Sequence, residues 1–270
     1  MKLLVFLCFF LIIALVGKSQ IDPYSFGSCV VLAQKDSTIL WNATGFFLKV
    51  NSSTYFITNN HVVGGQYYID EYMSVHKHAP PRDSFPNNIR IRIYDSLIGG
   101  FRWFGLNLFN PQASPKAISF KLDTNDPTSL LDVVAIPIDV KDTVSLRWTG
   151  RYAKESFNTE QMLYPSQDLF VIGFPFDYGK ANLYPLWKRG TIASEPGFNK
   201  FYIDATTRQG MSGSPVVYRS TSVLTKNGFG QYTGPQTILI GIYSAQNYPT
   251  EIGLVTKMID VYNMLAAAYK

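Results

Sequence analysis

Apolar and polar residues alternate with a period of two along much of this chain. The alternating stretches are short and bounded by Gly, Pro, Asn and Ser, which predicts strands joined by turns. In the first half, residues 28–33, 44–50 and 54–58 read as strands, with Asn51-Ser52-Ser53 turning between the last two. Residues 70–88 make a long excursion, after which residues 89–94 (Ile-Arg-Ile-Arg-Ile-Tyr) alternate as a half-buried strand. Residues 100–109, 117–122 and the β-branched run 130–138 complete this group. A polar connection, 141–166, leads to a second group at 168–174, 186–193, 201–205, 213–218, 237–244 and 252–256. The period then changes: Met258, Ile259, Val261, Tyr262 and Leu265 fall on one face of a closing helix, with Thr256 as its expected N-cap. The pattern divides the chain into a leader (1–19), two β units (20–145 and 146–256) and a helix (257–270).

The leader breaks the alternation. Residues 3–16 are unbroken apolar, Met1-Lys2 supplies a minimal positive start, and Gly17-Lys18-Ser19 has the small-x-small form of a signal-peptidase site. A secretory signal cut near Ser19–Gln20 is expected, placing the protein outside the cell or in a periplasm. The alternative is a retained N-terminal anchor, for which the run is short. No later stretch is apolar enough to cross a membrane. Cleavage removes Lys2 and Lys18 and lowers the net charge from +5 to +3. That balance, without a basic cluster interleaved with aromatics, argues against a nucleic-acid partner.

Composition agrees with the pattern. Apolar residues make up 46% and charged residues 16% of 270, enough for one large domain or two small ones sharing a core, and unlike a disordered chain. Cys8 lies in the leader, so Cys29 alone remains and an intramolecular disulfide is impossible; in its apolar run Cys29 is expected to be a buried small side chain. His76 and His78 form a His-x-His pair with no Cys, third His or acid cluster to complete a zinc site, and read as solvated loop. No metal or organic cofactor is expected.

The candidate chemistry centres on residues 208–217, Arg-Gln-Gly-Met-Ser-Gly-Ser-Pro-Val-Val. Glycines bracketing Ser212 allow a tight turn that pushes its hydroxyl forward, and the amides of Gly210 and Ser212 could hold a developing oxyanion. A serine nucleophile needs an imidazole base, and the imidazole needs a carboxylate. His61, at the exit of the strand 54–58, is suited to be that base. Asp132, between Leu131 and a β-branched run, is a carboxylate whose burial calls for a partner, unlike Asp123 and Asp126 in turn chemistry. The order His61, Asp132, Ser212 discriminates between scaffolds. An α/β-hydrolase places its histidine last, and no histidine follows Ser212. A subtilisin order would need an acid before His61; Asp36 is available in unsuitable surroundings.

These residues resemble those of trypsin-like (chymotrypsin-fold) serine peptidases of the disulfide-free bacterial type, similar to the HtrA and glutamyl-endopeptidase branches. Thr58-Asn59-Asn60-His61-Val62-Val63 resembles the family's histidine box, Asp132-Val133-Val134-Ala135 its aspartate strand, Gly210 to Pro215 its serine box, and Gly241 to Ala245 the strand lining its substrate cleft. The resemblance implies an all-β fold of two packed antiparallel six-stranded β-barrels, with the site in the crevice between them. It implies peptide-bond hydrolysis through His61, Asp132 and Ser212, an oxyanion hole at Gly210 and Ser212, and substrate contacts at Thr206, Thr207, Tyr243, Ser244 and Ala245. The partner is then a protein or peptide substrate, and an inactive peptide-binding module on the same fold is the alternative.

The departures are informative. Met211 stands where pancreatic relatives have the aspartate that pairs with a new N-terminus, so activation by N-terminal insertion is not expected. Thr206 stands where an acid selects Lys or Arg, and Tyr243 replaces the pocket histidine of the glutamyl endopeptidases, whose threonine Thr207 matches. A preference for acidic residues stays open on that basis. Arg208 is either a pocket charge or a solvated loop residue. Nothing suggests an appended PDZ-like or anchoring domain. Two sequons, at Asn42 and Asn51, matter only in a glycosylating host.

Overall fold

Strands whose two faces are both buried form the middle of the molecule. A computed structural model describes residues 21–63, 67–69, 75–77, 85–95, 98–109, 118–121, 130–138, 163–176, 178–195, 197, 199–220, 224–225, 228–229, 236–247 and 249–267. The first half contains β1 (Ser28–Lys35), β2 (Thr38–Val50), β3 (Ser53–Thr58), β4 (Tyr67–Ile69), β5 (Val75–Lys77), β6 (Asn88–Asp95), β7 (Gly100–Asn107), β8 (Ile118–Lys121) and β9 (Leu130–Ile138). The second contains β10 (Asp168–Gly173), β11 (Leu186–Ile192), β12 (Lys200–Asp204), β13 (Pro215–Ser220), β14 (Leu224–Thr225), β15 (Gly228–Phe229), β16 (Gln236–Asn247) and β17 (Ile252–Lys257). A helical turn, α1 (Tyr178–Ala181), follows β10, and α2 (Met258–Ala267) ends the described chain.

The second half is a closed six-stranded antiparallel barrel, as the family resemblance implies, in the order β10-β11-β12-β17-β16-β13. The first half differs from the expected six-stranded barrel. It is a seven-stranded antiparallel sheet, β7-β6-β1-β2-β3-β9-β8, whose pairing among the described residues does not close. The seventh strand has a physical origin: β7 pairs with β6 along its whole length, from Asn88↔Asn107 to Asp95↔Gly100. Its side chains are mostly half-buried or exposed, as suits an edge strand. β4 and β5 form a separate two-stranded ribbon inside the predicted excursion. The leader, residues 1–19, the polar connection through 162 and the boundary at 145/146 lie outside the described residues, as do Asp123 and Asp126.

Two apolar interiors and one shared layer hold these units. On β2, β3 and β9 alternate residues point to opposite faces. Phe47, Phe56, Val134 and Ile136 enter the interior of the first sheet with Ile89 and Ile91. Phe46, Leu48, Ile57, Leu131 and Val133 face the other way, onto Ile172, Val217, Leu239 and Ile242 of the barrel and Met258, Val261 and Leu265 of α2. The helix thus closes the layer between the two units. Thr256, expected to cap that helix, instead lies in β17 opposite Ile242, and its Oγ1 is buried with no hydrogen-bond partner among the described residues. Strand pairing overrode the capping signal. Cys29 is buried at the start of β1, as expected, with its sulfur 3.8 Å from the Gly27 carbonyl.

Because Phe46 is wholly buried in the shared layer, Phe46→Ala removes packing from both units and should destabilise the fold by about 3–5 kcal/mol. Denaturant unfolding followed by tryptophan fluorescence measures this; a loss below about 1 kcal/mol would contradict the shared layer.

Candidate active site

Register places the histidine beside the aspartate. Thr58, the last residue of β3, pairs with Val134 of β9, so the chain leaving β3 passes Asp132, two residues earlier on β9. A 3-10 turn, His61–Val63, then bends the chain back, with the Val62 and Val63 amides donating to the carbonyls of Asn59 and Asn60. Trp41 Nε1 donates to the Val62 carbonyl at 2.8 Å and holds the turn against β2. Asp132 is 2% exposed, a costly place for a carboxylate unless its oxygens are used. Both are: Oδ1 accepts the His61 backbone N–H at 3.0 Å, and Oδ2 lies 2.8 Å from His61 Nδ1.

This pairing sets the chemistry of the imidazole. With Nδ1 facing the carboxylate, Nε2 is the nitrogen left to exchange a proton. Burial by itself would push the imidazole pKa down, but the charge of Asp132 and the hydrogen bond to it outweigh burial, and the pKa lies above the ordinary 6.5. The His61 side chain keeps 30% of its surface exposed, so the ring lines an opening rather than a sealed core.

The serine turn comes from the barrel side. Gly210 and Gly213 have φ of +95° and +83°, angles that strain any residue with a Cβ. At Gly213 a side chain would also collide with the Thr44 carbonyl and lie 2.5 Å from Thr58 Oγ1. Between them the Met211 amide donates to the Arg208 carbonyl, and that of Gly213 to the Tyr243 carbonyl. Among the described residues the amides of Gly210 and Ser212 have no acceptor. The Met211 side chain is wholly buried in the apolar interior of the barrel, a place that offers no partner to an inserted ammonium.

The first sheet grips this turn directly. Thr44 of β2 donates its N–H to the Ser212 carbonyl at 2.9 Å and its hydroxyl to the Gly210 carbonyl at 2.9 Å. Asn59 Nδ2 donates to the Asp132 carbonyl at 2.6 Å and to Ser244 Oγ at 3.3 Å, linking the histidine turn to β9 and β16. The structure therefore brings His61, Asp132 and the Gly210–Gly213 turn to one seam between the two units. Among the described residues no hydrogen bond joins the imidazole to the Ser212 hydroxyl; apo sites commonly tighten this contact only on binding.

Of the predicted substrate contacts, Thr206 is exposed, Ala245 is half-buried, and Thr207, Tyr243 and Ser244 are buried. Thr207 Oγ1 lies 2.6 Å from Tyr243 OH and 3.1 Å from Gln246 Oε1. Ser244 falls where the β16–β17 register shifts between Tyr243 and Ala245, so a bulge aims it toward Asn59. Arg208 is half-buried, donates to the Thr207 carbonyl at 2.7 Å and approaches the exposed carboxylate of Glu251 at 3.8 Å. His76 lies on β5 and His78 outside the described residues. Sequence assigns Thr44 and Asn59 no role, whereas Gln246 ends the segment from Tyr243 expected to line the pocket and does meet Thr207. Thr44 carried a usable signal, a polar residue inside the apolar run of β2.

An antiparallel barrel joined to a second antiparallel sheet, with a serine turn and a His–Asp pair at their seam, defines the chymotrypsin-like class of β proteins. Residues 43–224 match the family model described as trypsin-like peptidase domain, and the chain belongs to that family of serine proteases, whose substrates are proteins. Its structure is similar to that of a serine endoprotease from Yersinia pestis, at 15% identity and a TM-score of 0.51 over 92% of this chain and 66% of that one. The chain thus spans about two thirds of the Yersinia protein, and the likeness is one of fold. The inactive form of the Rv3671c protease from M. tuberculosis has a TM-score of 0.46 at 17% identity, over 94% of each chain. No curated protein matches the chain in sequence.

The pKa direction gives a test with its sign. In the wild type the imidazole should titrate above 6.5. In Asp132→Asn burial remains without the carboxylate, and the titration should fall below that value. The pair's contribution to stability is present below the unfolded pKa and is lost as pH rises through the folded one. NMR of the imidazole reads the shift; an unchanged titration in Asp132→Asn would contradict the pairing.

Proposed function

We propose that the protein is a secreted serine endopeptidase working through an acyl-enzyme. The observation that carries this reading is the double hydrogen bond of Asp132 to His61, at 3.0 Å to the backbone N–H and 2.8 Å to Nδ1. It orients the ring, fixes its tautomer and balances the charge that the ring gains as a base. Ser212 Oγ attacks the peptide carbonyl carbon while His61 Nε2 takes the hydroxyl proton. The Gly210 and Ser212 amides receive the developing oxyanion, each such donor being worth roughly 3 kcal/mol. Collapse expels the amine, which collects the proton from His61. Water then repeats the sequence on the acyl-enzyme, releasing the acid and restoring Ser212. Export rests on residues 1–19 alone, and N-terminal sequencing beginning near Gln20 would support it.

Substrate contacts fall to Thr206, Thr207, Tyr243, Ser244 and Ala245, with the far part of β16 pairing an extended peptide as an added strand. Tyr243 and Thr207 are 2% and 0% exposed, and their hydroxyls are joined at 2.6 Å. The floor beside Ser212 is therefore closed, and the threonine that would greet an acidic side chain is already engaged. This favours a small residue, such as Ala, Ser or Val, before the scissile bond.

A fluorophosphonate probe should label the wild type and not Ser212→Ala, and the rate of labelling should fall as pH drops through a value above 6.5, where the base protonates. Labelling that survives Ser212→Ala, or a rate flat from about pH 5 to 8, would reject the mechanism. On a peptide library, cleavage after small residues should lead; dominant cleavage after Phe, Lys or Glu would reject the closed floor.

A further inference from the structure

Arg92 stands on β6 of the first sheet but directs its guanidinium to the second unit. It is 8% exposed. Nη1 donates to the Gly179 carbonyl, and Nη2 donates to those of Asn182 at 2.5 Å and Leu183 at 3.2 Å. The rings of Phe101, Trp103 and Phe174 surround the cation at 5.6, 5.9 and 5.5 Å. These partners are carbonyls and ring faces, so the charge is satisfied by dipoles converging from α1 and the turn after it. A lysine, with one compact ammonium, could not span three carbonyls in this fork.

The clamped segment leads to the serine turn. Tyr178 N–H donates to the Pro175 carbonyl at 3.0 Å, coupling α1 to residues 174–176. Phe176 has φ of +48°, in the left-handed region that a bulky residue avoids. It is held there from both sides: its N–H donates to the Gln209 carbonyl at 2.5 Å, and its carbonyl accepts from Asn42 Nδ2. In a trans peptide the carbonyl and the following N–H point in opposite directions. Anchoring the Gln209 carbonyl on Phe176 therefore aims the Gly210 N–H away from Phe176. Gly210 lies close against that segment: a Cβ on it would be 2.6 Å from the Phe174 carbonyl oxygen and 3.0 Å from the Phe176 nitrogen, so no residue with a side chain fits without displacing it.

We propose that Arg92 is a positioning residue for the oxyanion-binding amide of Gly210, acting through the 174–183 segment that fixes the Gln209–Gly210 peptide. The proposal rests on the peptidase reading above. Arg92 touches neither substrate nor His61, so it sets how well the transition state is held, not how the ground state binds or how the base titrates.

The experiment compares Arg92→Met and Arg92→Lys with Arg219→Met, a matched control whose arginine pairs with Asp22 and lies over Trp187 in the barrel. Active-site concentrations are fixed by fluorophosphonate titration before kcat, KM and the pH profile are measured. Arg92→Met should lose about 10- to 100-fold in kcat, with KM within about threefold and the acid limb unmoved, while Arg219→Met keeps its kcat. Arg92→Lys should lie between Arg92→Met and the wild type, and it decides by the same split if Arg92→Met does not fold. A kcat within about twofold of wild type in the Arg92 variants, or an equal loss in Arg219→Met, would overturn the proposal. A wild type that the probe fails to label would instead reject the peptidase reading itself.

Discussion

Thr44 is the point at which the two β units become one machine. It belongs to β2 of the first sheet, yet two of its three polar atoms serve the barrel. Its N–H holds the Ser212 carbonyl, its hydroxyl donates to the Gly210 carbonyl, and the same oxygen accepts the Phe174 amide at 3.1 Å. Its own carbonyl accepts the hydroxyl of Thr58, the residue that ends β3 three positions before His61. One buried residue thus touches the serine turn, the segment behind it and the strand that launches the histidine. A hydroxyl that donates once and accepts once has little freedom left, and every bond it makes lies where water cannot replace it.

Around this hub the architecture trades local comfort for orientation. Gly210 and Gly213 give up side chains, Phe176 accepts a left-handed backbone, and Asp132 is buried as a carboxylate. Each would be unfavourable alone. They persist because the shared apolar layer, with Phe46, Leu48 and Val133 on one side and Ile172, Val217 and Ile242 on the other, over-determines the arrangement. In the proposed mechanism the Gly210 and Ser212 amides need no reorganisation at the moment of reaction, because their neighbours in the turn are already bonded elsewhere. Packing supplies the rigidity, and the rigidity supplies the chemistry.

The strands were legible because alternation and turn residues are local signals; β9 is found at residues 130–138, and β6 and β10 within a residue of their predicted ends. His61 and Asp132 could be paired from sequence because, of the orders in which a triad occurs, only His-Asp-Ser fits where these residues fall, and the register of β3 with β9 delivers that pairing. What stayed hidden depends on partners far away in the chain. Thr44 meets Gly210, and Asn59 meets Ser244, across 166 and 185 residues, separations that no local pattern encodes. The seven-strand order of the first sheet among the described residues and the failed cap at Thr256 belong to the same category, since strand pairing decided both. The hydrogen bond between Thr207 and Tyr243 also required coordinates, for hydroxyls in a sequence do not reveal their partners.

The account is tested most directly by Thr44→Val, which keeps the shape and the backbone N–H but deletes the hydroxyl beneath Gly210 and Phe174. Measured as the rate at which a fluorophosphonate modifies Ser212, with folding confirmed in the same samples, the variant should slow by about 10-fold or more while the His61 titration stays where it was. A folded Thr44→Val protein that reacts at the wild-type rate would show that the serine turn does not depend on the first sheet for its geometry, and the account would fail.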